Sequence, residues 1–355
     1  MTTLIDRHIG TYVIWGSALA LFVLMTLFAF TEFVEDLDSV GRGDYTLLRA
    51  FEHMALKMPG LAYQLFPIAA LIGSLLGLGV LAGNSELVVL RASGVSTLRI
   101  ALSVMKAAAL LMLIAVIIGE VVAPMSERAA EQRESLAAGK MATRGAGQGF
   151  WMRDGASFIN VREVLPNEKM AAVYIYDFDG EQRLRTTSVA ARAHYEGERW
   201  ILEELRQSLL SEELVERREV SKTQWSSIVE PGLVDVITVN PESLSVLGLY
   251  KYMGYLQDNN LSTARYELAL WMKLVAPFAT GVMIFLSIPL VLGRLGSVGL
   301  GQRIVVGILV GMVFYVLQQV AAQSGIVYGL TPMVSAVTPT LLFLGAGVWL
   351  MRSVR

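Results

Sequence analysis

The sequence predicts an α-helical membrane protein with six transmembrane helices and an all-β, jelly-roll-like domain inserted between spans three and four. Hydrophobic residues fill 54% of the 355 positions and charged residues only 17%, whereas soluble domains carry about 25% charged residues. Five long runs contain no Asp, Glu, Lys or Arg, namely 8–31, 58–85, 107–119, 274–293 and 304–351. Between the third and fourth of these runs, a stretch of soluble composition accounts for the β domain.

The candidate spans follow from these runs, because crossing a bilayer takes about 20 apolar residues. They are 8–31, 61–82, 99–122, 268–292 and two within 304–351, which a turn rich in Gly and Pro divides at 322–332. An A-x-A match at 17–20 lies inside the first apolar run rather than after it, so we expect this span to be retained and not cleaved as a signal peptide. The predicted domains are 1–123 with three spans, 124–262 with the β domain and a connecting helix, and 263–355 with three spans.

The basic residues of the short connections predict the orientation. One side of the membrane receives both termini and most of these residues, which are Arg7, Arg91, Arg99, Arg294, Arg303, Arg352 and Arg355. The opposite side receives Arg42, Arg49 and Lys57, which is a minor conflict with the rule that basic residues are concentrated on the cytoplasmic side. We therefore expect both termini in the cytoplasm and the β domain in the periplasm.

The β domain is indicated by short β-branched or aromatic segments separated by turn signals. The segments are 157–164, 172–178, 186–197, 199–210 and 217–227. Segment 199–210 also fits a helix, but its strand-like neighbours favour a strand. Segment 172–178 is apolar on both faces, which fits either an ordinary sandwich core or a strand that lines an apolar path. Residues 243–259 form a predicted amphipathic helix that leads back to the fourth span.

The sequence provides little for catalysis or for metal and cofactor binding. It has no cysteine, three scattered histidines and no G-x-x-x-x-G-K-[ST] loop for ATP. Ser103 and Lys106 have the spacing of an activated nucleophile, but a lysine at a span end is more readily explained by a side chain that reaches the headgroups. No carboxylate is predicted at the midplane of a span, which argues against an ion gradient as the energy source. We expect no catalytic residue, metal or cofactor in this chain, and the net charge of −2 gives no argument for nucleic acid.

Residues 84–94 predict a separate short helix between spans two and three. Glu86 suits its first turn, Arg91 its last turn and Gly94 its left-handed C-terminal position. Four consecutive apolar residues, 87–90, then need a cover, which is either the lipid interface or a groove in a partner protein. An ABC permease uses such a helix to dock on a separate ATPase. The predicted docking residues are Ser85, Glu86, Leu87, Val88, Val89, Leu90, Arg91, Ala92, Ser93 and Gly94.

Three stretches resemble the LptF/LptG permease family. They are "IDRHIGTYV" at 5–13, "PIAALIGSLLGLGVLAGNSELVVLRASGVSTLRIALSVMK" at 67–106 and "LSVLGLYKYMGYLQDNNLSTARYELALWMK" at 244–273, the last being similar to the LptG branch. The resemblance implies a permease subunit of an ATP-driven exporter that extracts lipopolysaccharide from the bacterial inner membrane and passes it to a periplasmic bridge. It also implies LptF as the paired subunit, an LptB dimer that binds ATP and Mg²⁺, and LptC as the acceptor. Glu86 would then pair with an arginine of the ATPase, and spans one and five would form a lateral gate.

Predicted substrate contacts lie in the spans and in the β domain. Phe30, Phe33, Leu65 and Phe66 are candidates for acyl chains; the competing interpretation is that aromatic residues at an interface face ordinary lipid. The remaining candidates are Glu32, Arg42, Lys57, Tyr315, Gln319, Phe158, Tyr174 and Tyr176.

The stretch 31–42 departs from some family members, which place lysines there, because it contains Glu32, Glu35, Asp36 and Asp38. Unpaired carboxylates repel phosphates. The phosphates in question are those of lipid A. They are bound by Arg42, Arg49 and Lys57, by LptF, or by divalent cations that bridge carboxylate and phosphate. The alternative is that the acids face water or the partner subunit.

Two other functions remain open at this point. A scaffold that transmits force would use the same ATPase contact and move no lipid through its own spans. An intramembrane hydrolase is disfavoured because no nucleophile and base are placed together. Two small-residue patterns, at 73–77 and 307–311, predict close helix approach, with chance spacing as the competing explanation.

Overall fold

The computed structural model describes residues 4–37, 40, 46–137, 150–165, 169–181, 183–196, 199–210, 215–225, 241–293 and 298–353. Its helices are α1 (Leu4–Leu37), α2 (Leu47–Gly83), α3 (Glu86–Ala92), α4 (Thr97–Ile117), α5 (Ala123–Ala137), α6 (Val246–Asp258), α7 (Ala264–Leu292), α8 (Leu300–Tyr328) and α9 (Pro332–Ser353). Within these ranges, six helices are long and apolar enough to cross a membrane, namely α1, α2, α4 with its continuation, α7, α8 and α9. The prediction of six spans is confirmed.

The second span is the centre of the bundle. In its most apolar window, 78% of the residues are buried, against 17% for α1 and 17% for α8. Helices α1, α5, α7 and α8 all pack against α2. Leu71, Leu75 and Leu78 of α2 are fully buried in the largest hydrophobic core. The helix begins at Leu47, well before residue 61, where the sequence placed the start of the second span.

Spans one and two approach each other at three glycines. A Cβ atom at Gly16 would overlap the backbone of Gly73, and one at Gly77 would overlap the backbone of Tyr12. Glycine allows this close contact because it has no side chain. Gly307 and Gly311 of α8 lie against the side chains of Ile72 and Ile68 of α2, where a Cβ atom would also come too close. Both predicted small-residue patterns are confirmed as close helix contacts.

The inserted domain is a single antiparallel sheet in the residues described. Its strands pair in chain order, and the sheet is not closed. They are β1 (Phe150–Asp154), β2 (Ser157–Leu165), β3 (Lys169–Phe178), β4 (Leu184–Glu196), β5 (Arg199–Leu210) and β6 (Val215–Trp225). The all-β insertion is confirmed, and 199–210 is a strand. Where the sequence suggested the two layers of a sandwich, the described strands form one layer.

Helix α6 covers the inner face of this sheet, which explains how one layer builds a core. Val173 and Leu205 of the sheet are buried together with Leu249 and Tyr252 of α6. Ser245 caps the helix, since its hydroxyl accepts a hydrogen bond from the amide of Gly248 at 3.2 Å. The predicted connecting amphipathic helix is therefore confirmed.

The third span extends further than predicted. A π-helical turn, Ile118–Val122, joins α4 to α5 without a break, so residues 124–137 continue the helix, although the sequence assigned them to the outer domain. We call the end of the bundle with α3 and both chain ends the terminal end, and the other the sheet end. Arg42, Arg294 and Arg355 lie outside the described residues.

Replacing Gly73 by alanine should separate α1 from α2, because the new methyl group meets the Ser17 backbone. Overpacking of this kind costs about 1–3 kcal/mol, so we expect a lower unfolding temperature of the detergent-purified protein. Gly83→Ala, in the same helix with nothing within 4 Å, is the control and should leave that temperature unchanged. Equal unfolding temperatures for both variants would contradict the close contact.

Candidate functional site

The short helix at the terminal end is shorter than predicted and has two different faces. It spans Glu86–Ala92, seven residues, instead of 84–94. Leu87 is buried in the main core at 3% exposure, while Val88 and Val89 are 64% and 63% exposed. Leu90 packs partly against the same core. The expectation of four exposed apolar residues is wrong for Leu87, because the chain itself covers this side chain.

The C-terminal end of α3 is terminated at Gly94 as the sequence indicated, whereas the expected cap from the side chain of Asn84 or Ser85 is not formed at its N-terminus. Ser85 takes a left-handed backbone conformation with φ 60°, and Gly94 does so with φ 91°. Ser96 caps the following span, since its hydroxyl accepts a hydrogen bond from the amide of Arg99 at 3.2 Å. Helix α3 is thus a separate element that holds two valines outward at the terminal end.

Glu86 is positioned by two neighbours. Its carboxylate lies 2.7 Å from His8 Nε2 of the first span and accepts a hydrogen bond from the Asn84 amide at 3.3 Å. The hydrogen bond with His8 is the main reason that the pKa of Glu86 lies below its ordinary value. The carboxylate is therefore ionised at neutral pH and has a fixed orientation, while Arg91 is exposed.

A buried carboxylate joins spans one and three nearby. Asp6 accepts hydrogen bonds from Ser103 Oγ at 2.6 Å and Lys106 Nζ at 2.6 Å, and it lies 3.1 Å from Arg99. Ser103 and Lys106 therefore both point to Asp6. Ser103 donates a hydrogen bond to the Asp6 carboxylate, and Lys106 forms an ion pair with the same carboxylate. The spacing of Ser103 and Lys106 is therefore explained by a structural contact. The predicted reach of Lys106 towards headgroups gives way to this ion pair.

A second buried charge at the terminal end belongs to the fifth span. Arg303 is 4% exposed and donates to the carbonyl of Gly79, one turn before α2 ends. Carbonyls near a helix C-terminus carry partial negative charge, which a cation stabilises. Arg303 thereby ties α8 to the end of α2 that leads into α3.

The predicted substrate residues in the spans fall into two groups. Phe30 is 68% exposed, Phe33 is half-buried beside Ala50, and Tyr315 is 52% exposed, with Gln319 donating to its hydroxyl at 3.2 Å. In contrast, Leu65 and Phe66 are 7% and 5% exposed. These two are core residues of the chain, contrary to the prediction that they offer surface to acyl chains.

The charged candidates near the headgroup level pair with each other. Lys57 Nζ donates to Glu32 at 3.3 Å, and both side chains are more than a third exposed. One acid of the 31–42 stretch is thus neutralised within the chain by one of the cations expected for phosphate. Arg42 lies outside the described residues.

The outer face of the sheet carries the predicted aromatic residues together. Phe158 pairs with Tyr176 across β2 and β3, and Trp151 stacks on Tyr176 at 5.7 Å. Arg162 lies 4.8 Å from the ring of Tyr174. The strand that was apolar on both faces therefore buries Val173 and Ile175 inward and presents Tyr174 and Tyr176 outward.

Sequence reasoning missed the buried charges Asp6, Arg303 and Lys273. Each lies within a helix that was recognised as a span by its apolar residues. The available signal was a charged residue at the edge of a charge-free run, at a place where exposure to lipid would be costly. Among the described residues, no three His, Asp or Glu side chains are grouped so that they could hold a metal ion.

Six apolar spans, an inserted sheet and a separate helix between two spans define a multi-span membrane protein of the permease class. The model of a family described as "Lipopolysaccharide export system permease LptF/LptG" matches residues 7–353. The chain is 36% identical over 351 residues to the lipopolysaccharide export system permease protein LptG of Escherichia coli K12, covering 98% of this chain and 97% of that protein. It is 34% identical over 358 residues to the protein of the same name from Haemophilus influenzae, covering 100% of both. The chain therefore belongs to the LptF/LptG permease family.

Replacing Asp6 by asparagine should destabilise the terminal end, because three donors lose their shared carboxylate. Hydrogen bonds to charged groups contribute about 1.5–3 kcal/mol each, but Arg99 and Lys106 are partly exposed and regain water. We therefore expect a loss of about 2 kcal/mol, measured as a lower unfolding temperature in detergent. Arg7→Gln, an exposed position at the same end, should leave the temperature unchanged, and an equally stable Asp6→Asn protein would contradict the role of the carboxylate.

Proposed function

We propose that this chain is the permease subunit of an ATP-driven exporter that extracts lipopolysaccharide from the bacterial inner membrane and passes it to a periplasmic bridge. Its membership of the LptF/LptG family and its six spans support this function. The observation that carries the proposal is α3, whose buried Leu87 anchors the helix while Val88 and Val89 remain exposed at the terminal end.

In this proposal the terminal end lies in the cytoplasm and the sheet in the periplasm. Arg7 and Arg352 lie in the end turns of α1 and α9, and Arg91 and Arg99 lie in and after α3. An excess of Arg and Lys on the cytoplasmic side is the usual determinant of orientation. This orientation places α3 where an ATPase is available.

The energy enters through α3. The two exposed valines provide an apolar contact, and the ionised Glu86 beside them provides an acceptor for an arginine of the ATPase. ATP and Mg²⁺ are bound by that partner, an LptB dimer, and the present chain carries out no chemical step. LptF is the paired permease subunit and LptC receives the lipid.

The lipid path begins at the spans with the most open surface. Only 17% of the most apolar window is buried in α1 and in α8, so these two helices have faces available for LptF and for a lateral gate. Phe30 and Phe33 of α1 and Tyr315 of α8 meet the acyl chains. The outer face of the sheet, with Tyr174 and Tyr176, continues the path.

Replacing Val88 and Val89 together by aspartate should abolish docking, since both side chains are exposed and neither supports the fold. Burying an unpaired carboxylate in an apolar contact costs more than the roughly 1.4 kcal/mol that corresponds to a tenfold change in affinity, so we expect at least about tenfold less ATPase to copurify in detergent. Leu4→Asp, a change at a residue 87% exposed at the same end of the bundle, is the control and should retain the ATPase. Glu86→Ala and Leu90→Asp should also lower the copurified ATPase, and its full retention in all these variants would rule out docking through α3.

Photocrosslinking tests whether lipid passes through this chain. A photoreactive residue at Phe33 or Tyr174 should crosslink to lipopolysaccharide in proteoliposomes when ATP is present. The same photoreactive residue in place of Trp349 is the control and should form no such crosslink. Trp349 is 72% exposed and lies at the terminal end of the sixth span. Crosslinks absent at both Phe33 and Tyr174, with the ATPase still bound, would favour the scaffold that moves no lipid.

A further inference from the structure

A buried ion pair lies where the chain returns from the sheet to the spans. Lys273 of α7 is 8% exposed, and its ammonium lies 3.7 Å from Glu120 of the third span. Tyr63 of α2 donates to the carbonyl of Lys273 at 3.0 Å, and the ammonium lies 5.9 Å from its ring. Spans two, three and four therefore meet around this pair.

Both charged groups also bind backbone atoms at the N-terminal end of α6. Lys273 Nζ donates to the carbonyl of Leu244, and Glu120 accepts from the amide of Val246 at 2.9 Å. The carboxylate lies at the N-terminus of a helix of thirteen residues, where negative charge is favourable. The segment 244–246 is thus held from both sides by opposite charges.

The backbone of the third span is adapted to this contact. Glu120 lies in the π-helical turn Ile118–Val122. A turn with one additional residue rotates the following residues by about 100° around the helix axis. The turn brings Glu120 to α6, while Gly119 allows the ring of Tyr63 to approach the helix.

The other end of α6 is fixed to the sheet. The hydroxyl of Tyr255 donates to the carbonyl of Arg153 at 2.9 Å and accepts from its amide at 3.0 Å. Asn259 accepts from the amide of Gly155 at 3.1 Å. Between these contacts, α6 packs on the sheet through Leu249 and Leu256.

We propose that Glu120 and Lys273 are positioning residues that clamp the start of α6, so that α6 acts as a rigid strut carrying movements of spans three and four to the sheet. This role rests on the proposed function, because it supplies the route by which force from the ATPase reaches the part of the protein outside the membrane. Neither residue contacts the lipid or the ATPase in this role.

The strut is tested by a distance measurement in the complete complex. The chain has no cysteine, so Ser221→Cys on β6 and Tyr328→Cys at the sheet end of α8 can carry spin labels. We expect a narrow distance distribution for this parent. Glu120→Gln with Lys273→Met removes both charges of this pair together and should broaden the distribution at least about twofold. Tyr255→Phe, at the opposite end of the strut, should broaden it as well.

Two further variants separate a clamp from a simple ion pair. Exchanging the charges, with Glu120→Lys and Lys273→Glu, restores the attraction but places a cation at the N-terminus of α6, so we expect the distribution to stay broad. Glu52→Gln with Arg133→Met removes a different ion pair, between α2 and α5, and should leave it narrow. Distributions as narrow as the parent in both the double variant and Tyr255→Phe would overturn the strut.

Transport measurements give an independent readout. In the double variant, the rate of ATP hydrolysis and the crosslinking yield at Phe33 should stay within about twofold of the parent values. The crosslinking yield at Tyr174 should fall about fivefold or more, because typical coupling between two sites begins at about fivefold. An unchanged crosslink at Tyr174 would overturn the proposal. If the parent forms no crosslink at either position, the proposed function fails, and the distance distributions still decide whether the strut exists.

Discussion

The close backbone contact of the first two spans is the constraint on which the remaining architecture depends. Because glycines let α1 lie directly on α2, the second span becomes the buried axis of the bundle, with α5, α7 and α8 arranged around it. The same helix leads within three residues into α3. A force applied to α3 therefore acts on the helix that contacts most of the others, so docking at one end can influence the whole bundle.

The buried charges Asp6 and Lys273 lie at the two ends of the bundle, and each has polar partners. Asp6 is surrounded by donors at the terminal end, and Lys273 is paired at the sheet end. A buried ion is tolerated when hydrogen bonds and an opposite charge replace its water. These contacts hold helices to one another, and the middle of the described spans contains no acidic residue.

The sequence was sufficient for features that depend on local composition. Charge-free runs predicted the spans, turn signals predicted the strands, and Gly94 predicted the C-terminal end of α3. It was insufficient where distant residues decide the outcome. Nothing local separates Leu87, which the chain buries, from Val88, or Phe66, a core residue, from Phe30. The partners of Asp6 lie about a hundred residues away, so no spacing rule could identify them.

The lengths of the first two helices have a consequence for the surroundings of the lipid. With 34 and 37 residues, they extend about 51 and 55 Å at 1.5 Å per residue, whereas the hydrocarbon core measures about 30 Å. Even a tilt of about 40° leaves them longer than this thickness. Since both are anchored at the terminal end, the excess reaches into the opposite headgroup layer, where the two helices lie side by side. A glycolipid that moved along these two helices would leave the neighbouring lipids while its sugars are still in contact with protein. It would therefore leave the bilayer along a continuous protein surface.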